Sequence, residues 1–169
     1  MIALKNVLVA TDFSEPSEAA LRYGAELARR FEASLHVLHV VDDLAAHPSS
    51  IPTVQDGMGE LQTELEEDAR ANLASLVSEP DRSALRARLQ VLVSGSPAHA
   101  ILSYARDEAI DLIVVGTHGR HGLAHFFLGS VAQHVSRAAT CPVLTVRAHE
   151  RDFVQPDALQ RIDIPHRPH

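Results

Sequence analysis

The stretch of this chain that offers the most chemistry is Gly116-Thr117-His118-Gly119-Arg120-His121-Gly122-Leu123-Ala124-His125-Phe126-Phe127-Leu128-Gly129-Ser130. It begins at the end of an apolar run and stops where a helical pattern starts. Glycines allow positive φ and let the backbone approach a ligand closely. Free N–H groups at Ser130 and Val131, with a helix dipole behind them, favour an anion. Ser130 adds a hydroxyl, and Arg120 a fixed positive charge. These are the parts of a phosphate cradle. Glycines also make ordinary tight turns between strand and helix, so the pattern alone leaves both readings open. It is neither a Walker-type loop, whose Lys is absent, nor the GxGxxG dinucleotide fingerprint.

Other reactive residue types carry less. His118, His121 and His125 cluster in the same stretch without a Cys or carboxylate partner in sequence. His36 and His39, three apart on a strand, point to opposite faces and cannot chelate together. No metal site is therefore expected, and His39 reads as a packed, hydrogen-bonded histidine of the sheet. Glu64, Glu66, Glu67 and Asp68 read as the solvated face of a helix. The single Cys141, just before Pro142, cannot form an internal disulfide and reads as a buried, inert thiol. No side chain stands out as a general base, so no catalytic residue is assigned.

The elements that must position the glycine stretch follow from periodicity. Val7–Ala10, Ser34–Val41, Leu89–Val93, Asp111–Val115 and Cys141–Val146 are short apolar runs of the kind buried on both faces of a sheet. Between them lie helical patterns. One follows Ser14 as N-cap and repeats through Ala20, Leu21, Gly24, Leu27, Ala28 and Phe31. Another runs from about Met58 to Val77, with Leu61, Leu65, Ala69, Leu73 and Leu76 on one stripe. A third follows Ser96-Pro97, and a fourth, roughly Val131 to Ala138, follows Ser130. Residues 42–57 read as a long loop, of the kind that is functional or mobile in compact domains. Strands alternating with helices and lacking hairpin turns predict one five-stranded, parallel, doubly wound α/β sheet, Rossmann-like, with helices on both faces. Ligands of such sheets sit outside the carboxyl ends of the strands. Asp12, Val40 to Asp43, Gly95 and Gly116 all follow strand ends and are expected along that edge.

Composition bounds the function. The 169 residues carry a formal charge of −7, 46% hydrophobic and 22% charged residues, and no Trp. That is ordinary for one globular domain with an aliphatic core. A general grip on nucleic acid is disfavoured, because it needs a basic face. No run approaches the ~20 apolar residues of a membrane helix, and the N-terminal apolar run is too short for a secretion signal. The expectation is a soluble, cytoplasmic protein without nucleic-acid binding or membrane insertion.

The spacing Gly116-x2-Gly119-x9-Gly129-Ser130 resembles the nucleotide-binding motif of the universal stress protein family. Val9-Ala10-Thr11-Asp12-Phe13-Ser14 is similar to the family's first strand and acidic turn, and Leu38-His39-Val40 to the end of its second strand. Gly95-Ser96-Pro97, Gly129-Ser130-Val131-Ala132 and Cys141-Pro142-Val143-Leu144 extend the likeness over residues 1–147, with 148–169 left as a tail of unknown role. The family has members that bind ATP and members that do not, and the complete glycine spacing implies the first kind. The fold implied is that of the adenine nucleotide alpha-hydrolase-like proteins. The resemblance implies that Asp12 and Val40 surround the adenosine half, that Gly116, Gly119, Gly129, Ser130 and Val131 hold ribose and phosphates, and that Ala10 and Val115 also belong to the nucleotide site. Arg120 and His121 occupy positions where members vary. ATP, or ADP or AMP, is the implied ligand, with Mg²⁺ held mostly by phosphate oxygens and water. The resemblance also implies a homodimer through the last strand, Val143–Val146, read as an edge; a protein partner is left unidentified. Three readings stay open: an ATP-binding regulator of a stress response, an interaction module of the same fold without nucleotide, and a slow ATPase or self-phosphorylating protein with Ser130 or Thr117 as acceptor.

Overall fold

The computed structural model describes residues 3–46, 57–117 and 129–148. Five strands, β1 (Asn6–Ala10), β2 (Ser34–Val41), β3 (Arg88–Val93), β4 (Leu112–Gly116) and β5 (Val143–Val146), form one sheet in the order β3-β2-β1-β4-β5. Every pairing is parallel. Helices α1 (Glu15–Phe31), α2 (Met58–Leu76), α3 (Glu79–Ala84), α4 (Pro97–Asp107) and α5 (Ser130–Ala138) connect them. The architecture is the doubly wound α/β sheet the periodicity predicts. β2 has the predicted bounds.

Strand alternation divides the core. Val7, Val9, Leu35, Val37 and Val114 pack beneath α1 and the C-terminal half of α2. Leu8, Leu38, Ile113 and Val115 pack beneath α4 and α5. Each fully buried aliphatic side chain contributes about 1.5–3 kcal/mol by leaving water. Gly24 lets α1 lie flush on the sheet, since a Cβ there would run into the Val9 side chain.

The N-terminal edge of the sheet is tied by polar groups. The Asp111 carboxylate accepts the backbone N–H groups of Lys5 at 2.7 Å and Asn6 at 2.9 Å. Arg88 pairs with Glu108 at 2.9 Å. Next to them His36, 1% exposed, shares a 2.9 Å hydrogen bond between its Nδ1 and the Tyr104 hydroxyl, while its buried Nε2 has no hydrogen-bond partner. Burial first, then Arg88, hold the His36 pKa below the ordinary 6.5, against an opposing pull from Glu108.

Four local expectations need correction. Helix α3 was not expected. Ser78 caps it, accepting the N–H of Asp81 at 3.3 Å, and buried Asp81 meets Arg29 at 3.0 Å. Gly129, not Ser130, is the N-cap of α5, and Ser130 is its first helical residue. The α2 stripe is buried only from Ala69 onward: Leu61 and Leu65 are 47% and 38% exposed. Cys141 is half-buried rather than buried; burial still pushes its thiol pKa up, which keeps it protonated and unreactive.

Candidate functional site

The carboxyl ends of β1, β2 and β4 open into one cleft of about 680 Å³. It lies over the seam between β1 and β4, where the winding reverses and ligand crevices form in open parallel sheets. The structure places Ala10, Asp12, Val40, Val115, Gly116, Gly129, Ser130 and Val131 in its wall. Gly119, Arg120 and His121 lie outside the described residues, as do His118, His125 and the tail beyond residue 148.

The floor of the cleft is a turn built on Thr11. Its N–H donates to the Leu38 carbonyl at 2.9 Å, and its hydroxyl lies 3.0 Å from that of Ser17. The Thr11 hydroxyl also accepts the N–H of Phe13 at 3.1 Å. Asp12, half-buried, accepts the Ser14 N–H at 3.1 Å and the Ser14 hydroxyl at 2.5 Å through one carboxylate oxygen. This Asx turn explains why Ser14, although the N-cap of α1, makes no side-chain cap of its own. Phe13 is held at φ 62°, a left-handed conformation that costs a bulky residue about 1–3 kcal/mol. Its ring lies 4.4 Å from that of His39, whose Nδ1 meets the Thr11 carbonyl at 2.8 Å. His39 is thus packed and hydrogen-bonded, as expected. It also lines the cleft, which the sequence did not reveal.

The described glycines, Gly116 and Gly129, owe their places to something other than positive φ. Among the described residues no glycine has a positive φ. At Gly116 a Cβ would stand 2.7 Å from the Pro16 carbonyl carbon and 2.9 Å from the Ser17 nitrogen. The end of β4 therefore touches the first turn of α1 backbone to backbone. Gly129 has extended dihedrals (φ −52°, ψ 146°), and its N–H donates to the Thr117 carbonyl, joining the end of β4 directly to the start of α5. The N–H groups of the first turn of α5, Ser130 and Val131 among them, have no intrahelical acceptors and carry the positive end of the helix dipole. That turn can receive an anion.

The opposite wall was not anticipated. Leu65, Asp68, Ala69 and Asn72 lie along one face of α2 and line the cleft, and Leu44 joins them beside Asp42, which was expected at the strand ends. The Leu44 N–H donates to Gln62 at 3.1 Å, fastening the short 3-10 turn Leu44–Ala46 to α2. Asp68, expected on a plain solvated face, faces the cleft while remaining exposed. The sequence carried one signal, the position of Leu65 and Asp68 just after the 42–57 segment. Only the tertiary approach of α2 to β2 and β3 makes them part of a wall.

Chemically, the cleft offers an anion seat at α5, strand-end backbone at Val40, apolar patches at Ala10, Val115, Leu44 and Leu65, and carboxylates at Asp12, Asp42 and Asp68. Among the described residues no helix is long and apolar enough to cross a membrane.

Comparison with known proteins gives the same architecture. The universal stress protein family matches residues 3–147. The universal stress protein YxiE of Bacillus subtilis is 34% identical over 145 residues, covering 83% of this chain and 97% of its own length. The structure of the universal stress protein UspA from Lactobacillus plantarum superposes with a TM-score of 0.73 at 28% identity, over 87% of this chain and all (100%) of the other. A universal stress protein solved in complex with cAMP shares the fold at a TM-score of 0.54 and 23% identity, over 86% of this chain and 98% of its own. The family match takes in all five strands and every described residue that lines the cleft, and by it the chain belongs to the universal stress protein family.

Proposed function

We propose that this chain binds an adenine nucleotide, ATP or one of its lower phosphates, in the cleft at the strand ends, and acts as a nucleotide-responsive regulatory protein of a stress response. The observation that carries the reading is the meeting in one cleft of the α5 N-terminus with the strand-end backbone of Val40 and the carboxylate of Asp12. The first turn of α5, at Gly129, Ser130 and Val131, would take phosphate oxygens. The Val40 backbone and Asp12 would hydrogen-bond the adenosine half. Gly119, Arg120 and His121 would complete the phosphate side. Mg²⁺ would accompany a triphosphate, held by its oxygens and by water. The complete glycine spacing, the mark of the ATP-binding members, supports this reading. The cAMP complex of a protein of like fold supports only the scaffold's capacity for such a ligand.

One observation favours the interaction module without nucleotide. Asp12, Asp42 and Asp68 line the cleft, and among the described residues lining it there is no Lys or Arg. Carboxylates near a polyphosphate are repulsive unless they face its uncharged end. The slow ATPase or self-phosphorylating reading has weaker support. Thr117, one conceivable acceptor, is 2% exposed and does not line the cleft, whereas Ser130 is exposed. A homodimer through Val143–Val146 is part of the proposal. Its support is that β5 lies at the edge of the sheet.

The test is to purify the protein without added nucleotide, denature it, and identify what is released by chromatography and mass spectrometry, then titrate ATP by calorimetry. Near-stoichiometric adenine nucleotide, and a Gly129→Val variant that keeps its circular dichroism but shows no ATP heat, would bear the reading out. An empty protein with no ATP heat would leave the interaction module in its place.

A further inference from the structure

Helices α4 and α5 pack side by side on one face of the sheet and run in the same direction, both starting at the cleft, which Pro97 and Ser130 line. His99 lies in the first turn of α4 and His134 in the second turn of α5. Their rings lie next to each other across the seam in a tilted pair, with centroids 6.2 Å apart and planes inclined at 52°. Both residues are exposed. We propose that His99 and His134 form a two-histidine site for a late first-row divalent cation, Zn²⁺, Ni²⁺ or Cu²⁺, with water filling the remaining positions.

Imidazole nitrogen suits these ions, whereas Mg²⁺ and Ca²⁺ prefer oxygen. A ring nitrogen binds Zn²⁺ at about 2.0–2.1 Å, which puts two rings on one tetrahedral ion with centroids roughly 5 Å apart. The observed separation is about 1 Å more, within reach of side-chain torsions alone. The helix backbones need not move. Ala98 and Ile101 of α4, and Ala132 and Val135 of α5, are buried beneath the pair and fix the two Cβ positions. The fold therefore sets where the two side chains start, and chelation has only their torsions left to order. Among the described residues no three His, Cys, Asp or Glu side chains converge on one point. The site is thus open, with exchangeable positions, unlike a closed structural zinc site.

Its place gives it a consequence. His99 follows Pro97 by two residues, and His134 follows Val131 by three. Pro97 and Val131 line the cleft. An ion on the pair clips together the two helix starts that form one side of the cleft. The pair is 35 positions apart in sequence, too far for any ligand-spacing motif to show it. The site does not depend on the nucleotide reading.

The experiment is calorimetric titration of the full chain with ZnCl₂, repeated on His99→Ala, His134→Ala and the double variant. With eleven histidines in the chain, the shared loss identifies the site. A chelating pair binds far more tightly than either ring alone, so each single variant should weaken this site about 100-fold, and the double variant should abolish it. In proton spectra the two imidazole resonances assigned to His99 and His134 should move together as Zn²⁺ is added. A single variant that binds Zn²⁺ as the wild type does, or resonances of the pair that stay put while others move, would overturn the proposal. Both side chains are exposed, and unchanged circular dichroism verifies that the variants fold.

Discussion

At the N-terminal edge of the sheet, Asp111 accepts N–H groups from a segment 106 residues away, closing the chain on itself. At the opposite edge, Asp12 accepts from Ser14, two residues on, and the strand ends beside it open into the cleft. The same side chain does different work because of what each edge must satisfy. The N-terminal edge meets its polar groups with its own side chains: Asp111, the Asn6 amide on the Glu108 and Ala109 carbonyls, and the Arg88–Glu108 pair. The C-terminal edge holds a strained Phe13, the unpaired first turn of α5 and the exposed Leu65. One edge is closed by its own polar groups, the buried Nε2 of His36 excepted, and the other stays open as a cleft.

Variants can break this contrast. The largest effect should come from Gly116→Val, where the cleft edge has no slack: the Cβ meets the backbone of Pro16 and Ser17. Urea unfolding should show a loss of about 3 kcal/mol, so lost nucleotide binding in this variant would report the fold rather than the site. Asp111→Ala should cost about 1–2 kcal/mol, chiefly by stranding the part-buried N–H of Asn6 while water takes the exposed N–H of Lys5, and should leave ATP affinity of the folded protein unchanged. Asp12→Ala should do the reverse. It should weaken ATP binding by about 1–3 kcal/mol, measured by calorimetry, with a much smaller change in the urea midpoint. If Asp111→Ala and Asp12→Ala shifted both quantities alike, the division of labour between the edges would be wrong.

The smallest effect is one of pH. His36 has a lower pKa in the folded chain than its ordinary 6.5, chiefly through burial. Below 6.5 the unfolded chain therefore binds more protons than the folded one. Stability falls as the pH drops below 6.5 and continues to fall to the lower folded-state value. The groups facing His36 are Tyr104 and Glu108 from the α4 side and Arg88 across the strand pair. His36→Gln should flatten this part of the profile of urea midpoint against pH.

Much of the fold was legible because parallel strands buried on both faces leave uninterrupted aliphatic runs, as in Ser34–Val41. Helix α3 was missed, although Ser78 with Asp81 three residues on is a capping-box pattern; six residues give too little periodicity to notice. The part of the cleft wall near Asp12 and Gly129 was legible because its residues sit at strand ends and a helix start, places that topology assigns. His39, Phe13, Leu65 and Asp68 were not, because what brings them to the cleft is how turns and helices approach one another. Gly116 shows that limit most plainly. Its residue type was noticed for φ freedom and for close approach to a ligand, and is required for close approach to α1.

The seam beneath the cleft also sets when the cleft can exist. β1 pairs with β4, Val7 opposite Leu112, across most of the intervening chain. Closing so long a loop is slow, and pairings of this kind form late in folding. A growing chain that has not yet emerged past Gly116 has no cleft to offer. A ligand bound there should therefore leave the folding rate nearly unchanged and act on the unfolding rate, lengthening the life of the finished protein rather than hastening its assembly.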